Sequence, residues 1–132
     1  MTHHATGPFD VHLSPLEAYN QDPGAGIGRM GLDKRYHGGL EATSTGEMLS
    51  AGSARSSGGY VAIERVTGTL DGRRGSFALQ HNATMDAGTP ELNIIVVPGS
   101  GTGELAGLSG RMTIDIAAGG AHSYELEYEL NP

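Results

Sequence analysis

The sequence contains no cysteine and no tryptophan, and its only lysine is Lys34. Without cysteine the chain can form neither disulfides nor thiolate metal sites. Its 8 basic residues against 15 acidic ones give a formal charge of −7. Because nucleic-acid binding needs clustered Lys and Arg, we expect no nucleic-acid partner. No apolar run approaches the roughly 20 residues of a membrane-spanning helix, so we expect no membrane partner.

Secretion and metal signals are also missing. The N-terminal stretch MTHHATGPFDV has neither the charged start nor the apolar run of a signal peptide, so the expected location is the cytoplasm. Histidines stand at 3, 4, 12, 37, 81 and 122, without the close spacing typical of a zinc site. We therefore expect neither a metal nor a cofactor. The length, 132 residues, predicts a single domain over 1–132.

Glycine is abundant, with 22 residues that separate short segments rich in β-branched and aromatic side chains. Many short strands with turn residues between them are typical of an all-β fold. The segments predict eight antiparallel strands, which suits an up-and-down β-barrel without free edges. The predicted strands cover about 6–14, 27–37, 39–50, 59–67, 75–83, 91–98, 110–117 and 121–130.

The glycine-rich stretch VPGSGTGELAGLSGRM, residues 97–112, partly matches a dinucleotide-binding loop through Gly101, Gly103 and Ala106. Such a loop must open an amphipathic helix. Here Gly107 and Gly110 would weaken a helix, and the alternating residues 112–116 follow strand periodicity. The stretch is therefore interpreted as a turn.

An internal repeat supports the turn. TGTLDGRRGSFAL at 67–79 and TGELAGLSGRMTI at 102–114 share the pattern T-G-x-L-x-G-x-x-G at a constant offset of 35. We predict that Gly72 and Gly107 occupy equivalent turn positions, and that Gly75 and Gly110 are likewise equivalent. Glycine provides the positive φ angles that tight connections need.

Alternation assigns an interior face to the last strand. Tyr124, Leu126 and Tyr128 alternate with three glutamates, which cannot be buried cheaply without partners. The repeat extends the assignment to a second strand by analogy. The predicted lumen-lining side chains are Phe77, Leu79, Met112, Ile114, Tyr124, Leu126 and Tyr128.

Several polar side chains are candidates for a site in this lumen. His81 shares the interior face of Phe77, as either a structural histidine or a ligand-orienting group or general base. Glu64 and Arg65 are adjacent and point to opposite faces, so only one enters the lumen. If Glu64 enters, His81 is its natural partner. Tyr60, with Tyr124 and Tyr128, offers a phenol hydroxyl to a ligand or fills the barrel.

Two predicted strands, 60–66 and 92–97, are apolar on both faces and need cover on both. One face meets the lumen. The other meets the irregular segment 15–26 or a second subunit, so we expect a homo-oligomer.

Four blocks carry a resemblance to a known family: LDKRYHGGLEATSTGEML, GYVAIERVTGTLDGRRGSFALQH, VPGSGTGELAGLSGRM and HSYELEY. Over nearly the whole chain the sequence resembles the bacterial family called domain of unknown function 3224, within the allene-oxide-cyclase-like β-barrels. The resemblance implies an eight-stranded antiparallel barrel. It implies no established reaction, although relatives in the wider group include cyclases that fold a reactive substrate in the lumen.

Two functions fit these expectations. The first is a barrel that binds a small apolar organic molecule, as a carrier or as a cyclase or isomerase that positions its substrate without a cofactor. The alternative is a structural or interaction barrel with a packed lumen. A lumen cavity of about 300 Å³ would favour the small-molecule-binding barrel.

Overall fold

The computed structural model describes residues 2–24, 26–54 and 57–131. These residues form nine β-strands and no helix, and so include no helix long and apolar enough to cross a membrane. The strands are β1 His3–Leu16, β2 Ile27–Tyr36, β3 Leu40–Ala54, β4 Ser57–Leu70, β5 Arg73–Asp86, β6 Thr89–Val96, β7 Thr102–Gly103, β8 Leu108–Ile116 and β9 His122–Leu130.

Eight of these strands close into an antiparallel up-and-down barrel, which confirms the predicted fold. Each long strand pairs with the next along the chain, and the β1–β9 pairing closes the ring. The eight predicted strands match the eight long ones to within a few residues at their ends. The two-residue strand β7, which pairs with the start of β5, is an addition.

The interior face follows the predicted alternation. In β9, Tyr124, Leu126 and Tyr128 are buried while the glutamates between them are exposed. In β5, Phe77 and Leu79 are buried in the same apolar cluster. A period of two therefore separates interior from exterior along these strands.

One end of the barrel is filled, and we call it the closed end. The turns at 37–39 and 71–72 and the segment 97–107 lie there. Leu105, from the middle of that segment, is 1% exposed and packs in the core cluster. The Tyr124 hydroxyl accepts from the Leu40 amide at 2.9 Å and donates to the His37 carbonyl at 2.7 Å, which fastens the β2–β3 turn.

The opposite end, the open end, contains the last residues of β1, β3, β5 and β8 and the first residues of β2, β4, β6 and β9. There β6 pairs with β8 at only two positions, Ile94 with Met112 and Ile95 with Arg111. Beyond that point residues 89–93 and 113–116 are not paired with each other, so the wall of the barrel parts. Side chains at this end are correspondingly more exposed, as for Met85 at 41% and Leu92 at 44%.

The repeated glycines occupy equivalent places, as predicted. Gly72 and Gly107 each precede a strand with φ of +84° and +83°, values that suit glycine. A Cβ on Gly75 would lie 2.1 Å from the Thr102 carbonyl, and one on Gly110 would lie 2.4 Å from the Glu127 carbonyl. Both glycines therefore permit close backbone approach.

The two copies of the repeat differ in structure at their first residues and in burial just beyond their last residues. Residues 67–70 continue the long strand β4, whereas 104–107 form turns after the short β7. Ile116, which the repeat aligns with buried His81, is 61% exposed. The physical reason is the parted wall, since β8 has lost its β6 neighbour there.

The glycine-rich segment is a strap along β5 rather than the start of a helix. Thr102 Oγ1 lies 2.6 Å from Ser76 Oγ, and the Ser100 hydroxyl accepts from the Ala78 amide at 3.0 Å. The Glu104 carboxylate accepts from the Arg74 amide at 3.0 Å. These bonds confirm the turn interpretation, because a dinucleotide loop would lead into a helix.

Candidate functional site

A charged cluster lies inside the barrel around Glu64, whose side chain is 0% exposed. Lys34 Nζ lies 2.7 Å from Glu64 Oε2, and His81 Nε2 lies 2.6 Å from the same oxygen. Ser44 Oγ donates to Oε1 at 2.9 Å, and the Tyr36 hydroxyl donates to Oε1 as well. Four donors from β2, β3 and β5 therefore converge on one carboxylate of β4.

This carboxylate is ionised. Burial alone would raise the pKa of Glu64, but the hydrogen bond from His81 and the charge and hydrogen bond of Lys34, together with the Tyr36 hydroxyl, lower it to about 2. Burial and the neighbouring negative charge raise the pKa of Tyr36 well above its usual value. The cluster thus holds a buried ion pair with a protonated phenol beside it.

The strands position these groups by register. Glu64 pairs with Leu79 and Ala62 pairs with His81, so His81 lies one inward-facing row nearer the open end than Glu64. Tyr60 pairs with Ala83, one further row outward. Successive inward rows are roughly 7 Å apart, so His81 lies between the buried carboxylate and the phenol of Tyr60.

Above this row the open end forms a depression of about 500 Å³. Its walls are mostly apolar and come from β3 to β6. They include Met48, Tyr60, Ala83, Met85, Pro90 and Leu92. The Tyr60 hydroxyl makes no hydrogen bond to any residue in the described ranges. Burial and the charge of Glu64 raise its pKa, so it is a protonated donor.

Sequence reasoning predicted a deeper site. Phe77, Leu79, Met112 and Leu126 are each at most 3% exposed and pack together, so they fill the lumen rather than line the depression. Ile114 is half-buried against the same cluster. Their predicted contact with a ligand stays a prediction.

The alternative left open between Glu64 and Arg65 is resolved by the structure. Glu64 enters the lumen and His81 is its partner, as expected for that choice. Arg65 lies on the outer face and donates to Ser76 Oγ at 2.8 Å, so it is not a lumen residue. Of the three candidate tyrosines, Tyr124 and Tyr128 have hydrogen-bond partners within the barrel. Tyr128 donates to Asp71, and Tyr124 holds the β2–β3 turn.

Sequence reasoning missed Lys34, Tyr36 and Ser44. A signal for Lys34 was present, because Leu32 and Tyr36 flank it at spacing two and are strong interior candidates. The contact between Lys34 and Glu64 depends on the register of β2 with β3 and of β3 with β4. Alternation within a single strand does not specify that register. Within the described ranges, no group of three or more His, Asp or Glu side chains could hold a metal ion.

Together the fold and the site define a class: a small closed antiparallel barrel with a buried charged cluster beneath an apolar open end. The chain belongs to the family described as "Protein of unknown function (DUF3224)", whose model matches residues 5–128. It is similar to a DUF3224 protein of unknown function from Shewanella oneidensis MR-1, known from a crystal structure at 1.84 Å resolution. The two are 50% identical over 100% of this chain and 99% of the other, with a TM-score of 0.93. No curated protein matches the chain.

Proposed function

We propose that this protein binds a small apolar molecule in the depression at the open end of the barrel. The observation that supports this proposal is an apolar depression of about 500 Å³ with one free phenol, Tyr60, in its wall. Small-molecule sites are typically concave and apolar, with few polar groups that fix orientation. The ligand would bury apolar surface against Met48, Met85 and Leu92 and accept a hydrogen bond from Tyr60.

The resemblance to the allene-oxide-cyclase-like barrels supports a finer proposal. In that wider group, cyclases hold a reactive substrate inside the lumen. We propose that the present barrel likewise acts on its ligand as a cyclase or isomerase, without a cofactor, by holding it in a reactive conformation.

The binding test is a titration with the neutral apolar dye Nile red, followed by its fluorescence. Ala83 faces the depression, whereas its neighbour Asn82 faces outward on the same strand. Ala83→Phe should weaken dye binding at least about tenfold by filling the site, and Asn82→Phe should leave it unchanged. Equal affinity of the two variants would place the dye elsewhere and refute the proposal.

The alternative function, an interaction barrel, is supported by the outer face. Leu49, Val61 and Ile63 are exposed by 47%, 52% and 51%, and Leu49 pairs directly with Val61. A contiguous exposed apolar band is a surface that a second copy can cover, and the Arg29–Glu47 ion pair beside it, at 2.5 Å, presents both signs of charge to such a copy.

Sedimentation tests this second proposal. The wild-type chain should sediment as a dimer, and Val61→Lys should sediment as a monomer because a charge would enter the interface. Asp115→Lys, exposed on β8 away from the band, is the control. A wild-type monomer at micromolar concentration would exclude the outer-face dimer.

A further inference from the structure

The imidazole of His81 has two differently placed nitrogens. Nε2 lies 2.6 Å from Glu64 Oε2. An ionised carboxylate only accepts hydrogen bonds, so Nε2 carries the proton. In the neutral ring Nδ1 is then a bare acceptor. The carboxylate thus fixes both the tautomer and the orientation of the ring, as the acid of a catalytic His–carboxylate pair does.

The second nitrogen is available to a ligand. Nδ1 of His81 has no hydrogen-bond partner in the described part of the chain. Every fully enclosed side-chain nitrogen or oxygen there has a partner, so Nδ1 is not fully enclosed, while His81 as a whole is 3% exposed. His81 does not itself line the depression. It lies in the cross-strand row of Met48, which does, one inward-facing row beneath Tyr60, so a ligand in the depression reaches Nδ1 by extending one row deeper.

We propose that His81 is a general base that removes a proton from a carbon atom of the apolar molecule bound at the open end. This inference rests on the proposed binding function. Glu64 positions the ring, and the Tyr60 hydroxyl donates to the oxygen on which negative charge develops. The substrate class is an apolar carbonyl compound whose acidic C–H lies between the carbonyl and a carbon–carbon double bond, and the reaction is an isomerisation in which a proton shift moves that double bond into conjugation.

The step balances within the site. Nδ1 takes the proton, the C–H electron pair forms a carbon–carbon double bond, and the carbonyl π pair moves onto oxygen, where Tyr60 donates a hydrogen bond. The protonated ring then returns its proton to the far carbon of the substrate's own carbon–carbon double bond, whose π pair forms the new C–H bond. The double bond formed in the first step shifts to the next carbon pair, and the oxygen pair reforms the carbonyl. No oxidant, metal or second substrate is consumed.

The surroundings suit this exchange of charge. Lys34 already neutralises Glu64, so the resting site needs no charge on His81. When His81 accepts a proton from the substrate, the positive charge lies 2.6 Å from the Glu64 carboxylate oxygen. His81 and Tyr60 project inward from neighbouring strands one inward-facing row apart by register, so a small planar molecule that reaches this depth can contact both.

The inference is tested with 5-nitrobenzisoxazole, a planar apolar probe. A base removes its C3 proton, the N–O bond breaks, and a coloured cyanophenolate forms. His81→Gln keeps a polar group beside Glu64 but supplies no base, and should lower kcat/KM about 100-fold. His122→Gln, at the start of β9, is the matched control and should leave kcat/KM unchanged.

Nile red binding separates the two proposals. If the wild-type protein binds no dye in the depression, the binding proposal fails. If the dye binds equally to both proteins and His81→Gln turns over the probe as fast as the wild type, binding stands and the base assignment is wrong. Glu64→Gln should lower kcat about tenfold with KM unchanged, as expected for a positioning residue.

A measurement on the unmodified chain covers the case in which His81→Gln does not fold. Diethyl pyrocarbonate acylates an accessible imidazole nitrogen, and peptide mapping by mass spectrometry identifies the modified histidine. His81 should be modified, with loss of probe turnover, and Nile red should protect it. Full turnover after complete His81 modification, or no reaction at His81 under conditions that modify His122, would overturn the inference.

Discussion

The two ends of this barrel are built from the same strands but have opposite packing. Along β5, Phe77 is 1% exposed near the closed end, whereas Met85, on the same inward face, is 41% exposed near the open end. The closed end has tight turns and a plug residue, Leu105. The open end has long hairpins and a wall that parts between β6 and β8. An inward-facing position is therefore not sufficient for burial. An inward side chain is buried only where turns or a connecting segment cover that end of the barrel.

Between the two ends lies the Glu64 cluster. It borders the apolar packing on one side, and on the other its His81 lies one inward-facing row beneath Tyr60 and Ala83, which line the depression. A buried charge is retained only with partners, and here four donors satisfy it. This location makes the cluster both a structural element of the closed end and the candidate chemistry of the open end.

The largest predicted contrast comes from truncation of matched residues at the two ends. Phe77→Ala should lower the free energy of unfolding by about 4 kcal/mol, since it leaves a cavity in a packed core. Met85→Ala should cost less than about 1 kcal/mol, because its side chain is already partly hydrated. Urea unfolding monitored by circular dichroism measures both. Similar losses for the two variants would contradict the division into closed and open ends.

Removal of one partner from the cluster should have the next largest effect. Lys34→Met leaves Glu64 without its cation and should destabilise the fold by about 3 kcal/mol. Adding Glu64→Gln to the Lys34→Met variant should recover part of the lost free energy of unfolding, since neither charge of the pair then remains buried. A double variant that is as unstable as the sum of the single variants would show that the pair is not coupled.

Acid should weaken the fold through the same carboxylate. Its pKa is about 2 in the folded state against 4.5 in the unfolded one, so its stabilisation is present above pH 4.5 and is lost as the pH falls towards 2. A shift of this size corresponds to about 3 kcal/mol. Urea unfolding of the wild type and Glu64→Gln between pH 7 and 2 measures it. A wild type that loses no more stability than the variant would exclude Glu64 as the source.

The smallest effect concerns the closed end alone. Tyr128→Phe removes the hydroxyl that donates to Asp71 and should cost about 1 kcal/mol, without changing dye binding at the open end. Burial and the Asp71 carboxylate raise the pKa of Tyr128 to about 12. Wild-type stability should therefore fall as the pH rises from 10 to 12, and Tyr128→Phe should fall less over that range. Weaker dye binding by this variant would connect the two ends.

The sequence allowed most of the fold to be predicted but only part of the candidate site. Alternation predicted the inward orientation of His81, and the choice of Glu64 over Arg65 was correctly left open because both faces of their strand are apolar. Phe77, Leu79 and Met112 pack in the filled half of the lumen, and their predicted contact with a ligand stays a prediction. Alternation identifies the face of a strand on which a residue lies. It does not show how far along the barrel the side chains of that face remain buried.

The strands, the turns at Gly72 and Gly107, and the separation of tyrosine and leucine from glutamate in β9 can all be predicted from the residue pattern alone. These features are local, because a strand repeats every two residues and a tight turn needs a positive φ angle. The meeting of Lys34, Tyr36 and Ser44 at Glu64, and the open end of the barrel, follow instead from the assembled barrel. Both depend on the register of several strands at once, and that register joins residues as distant in the chain as Lys34 and His81.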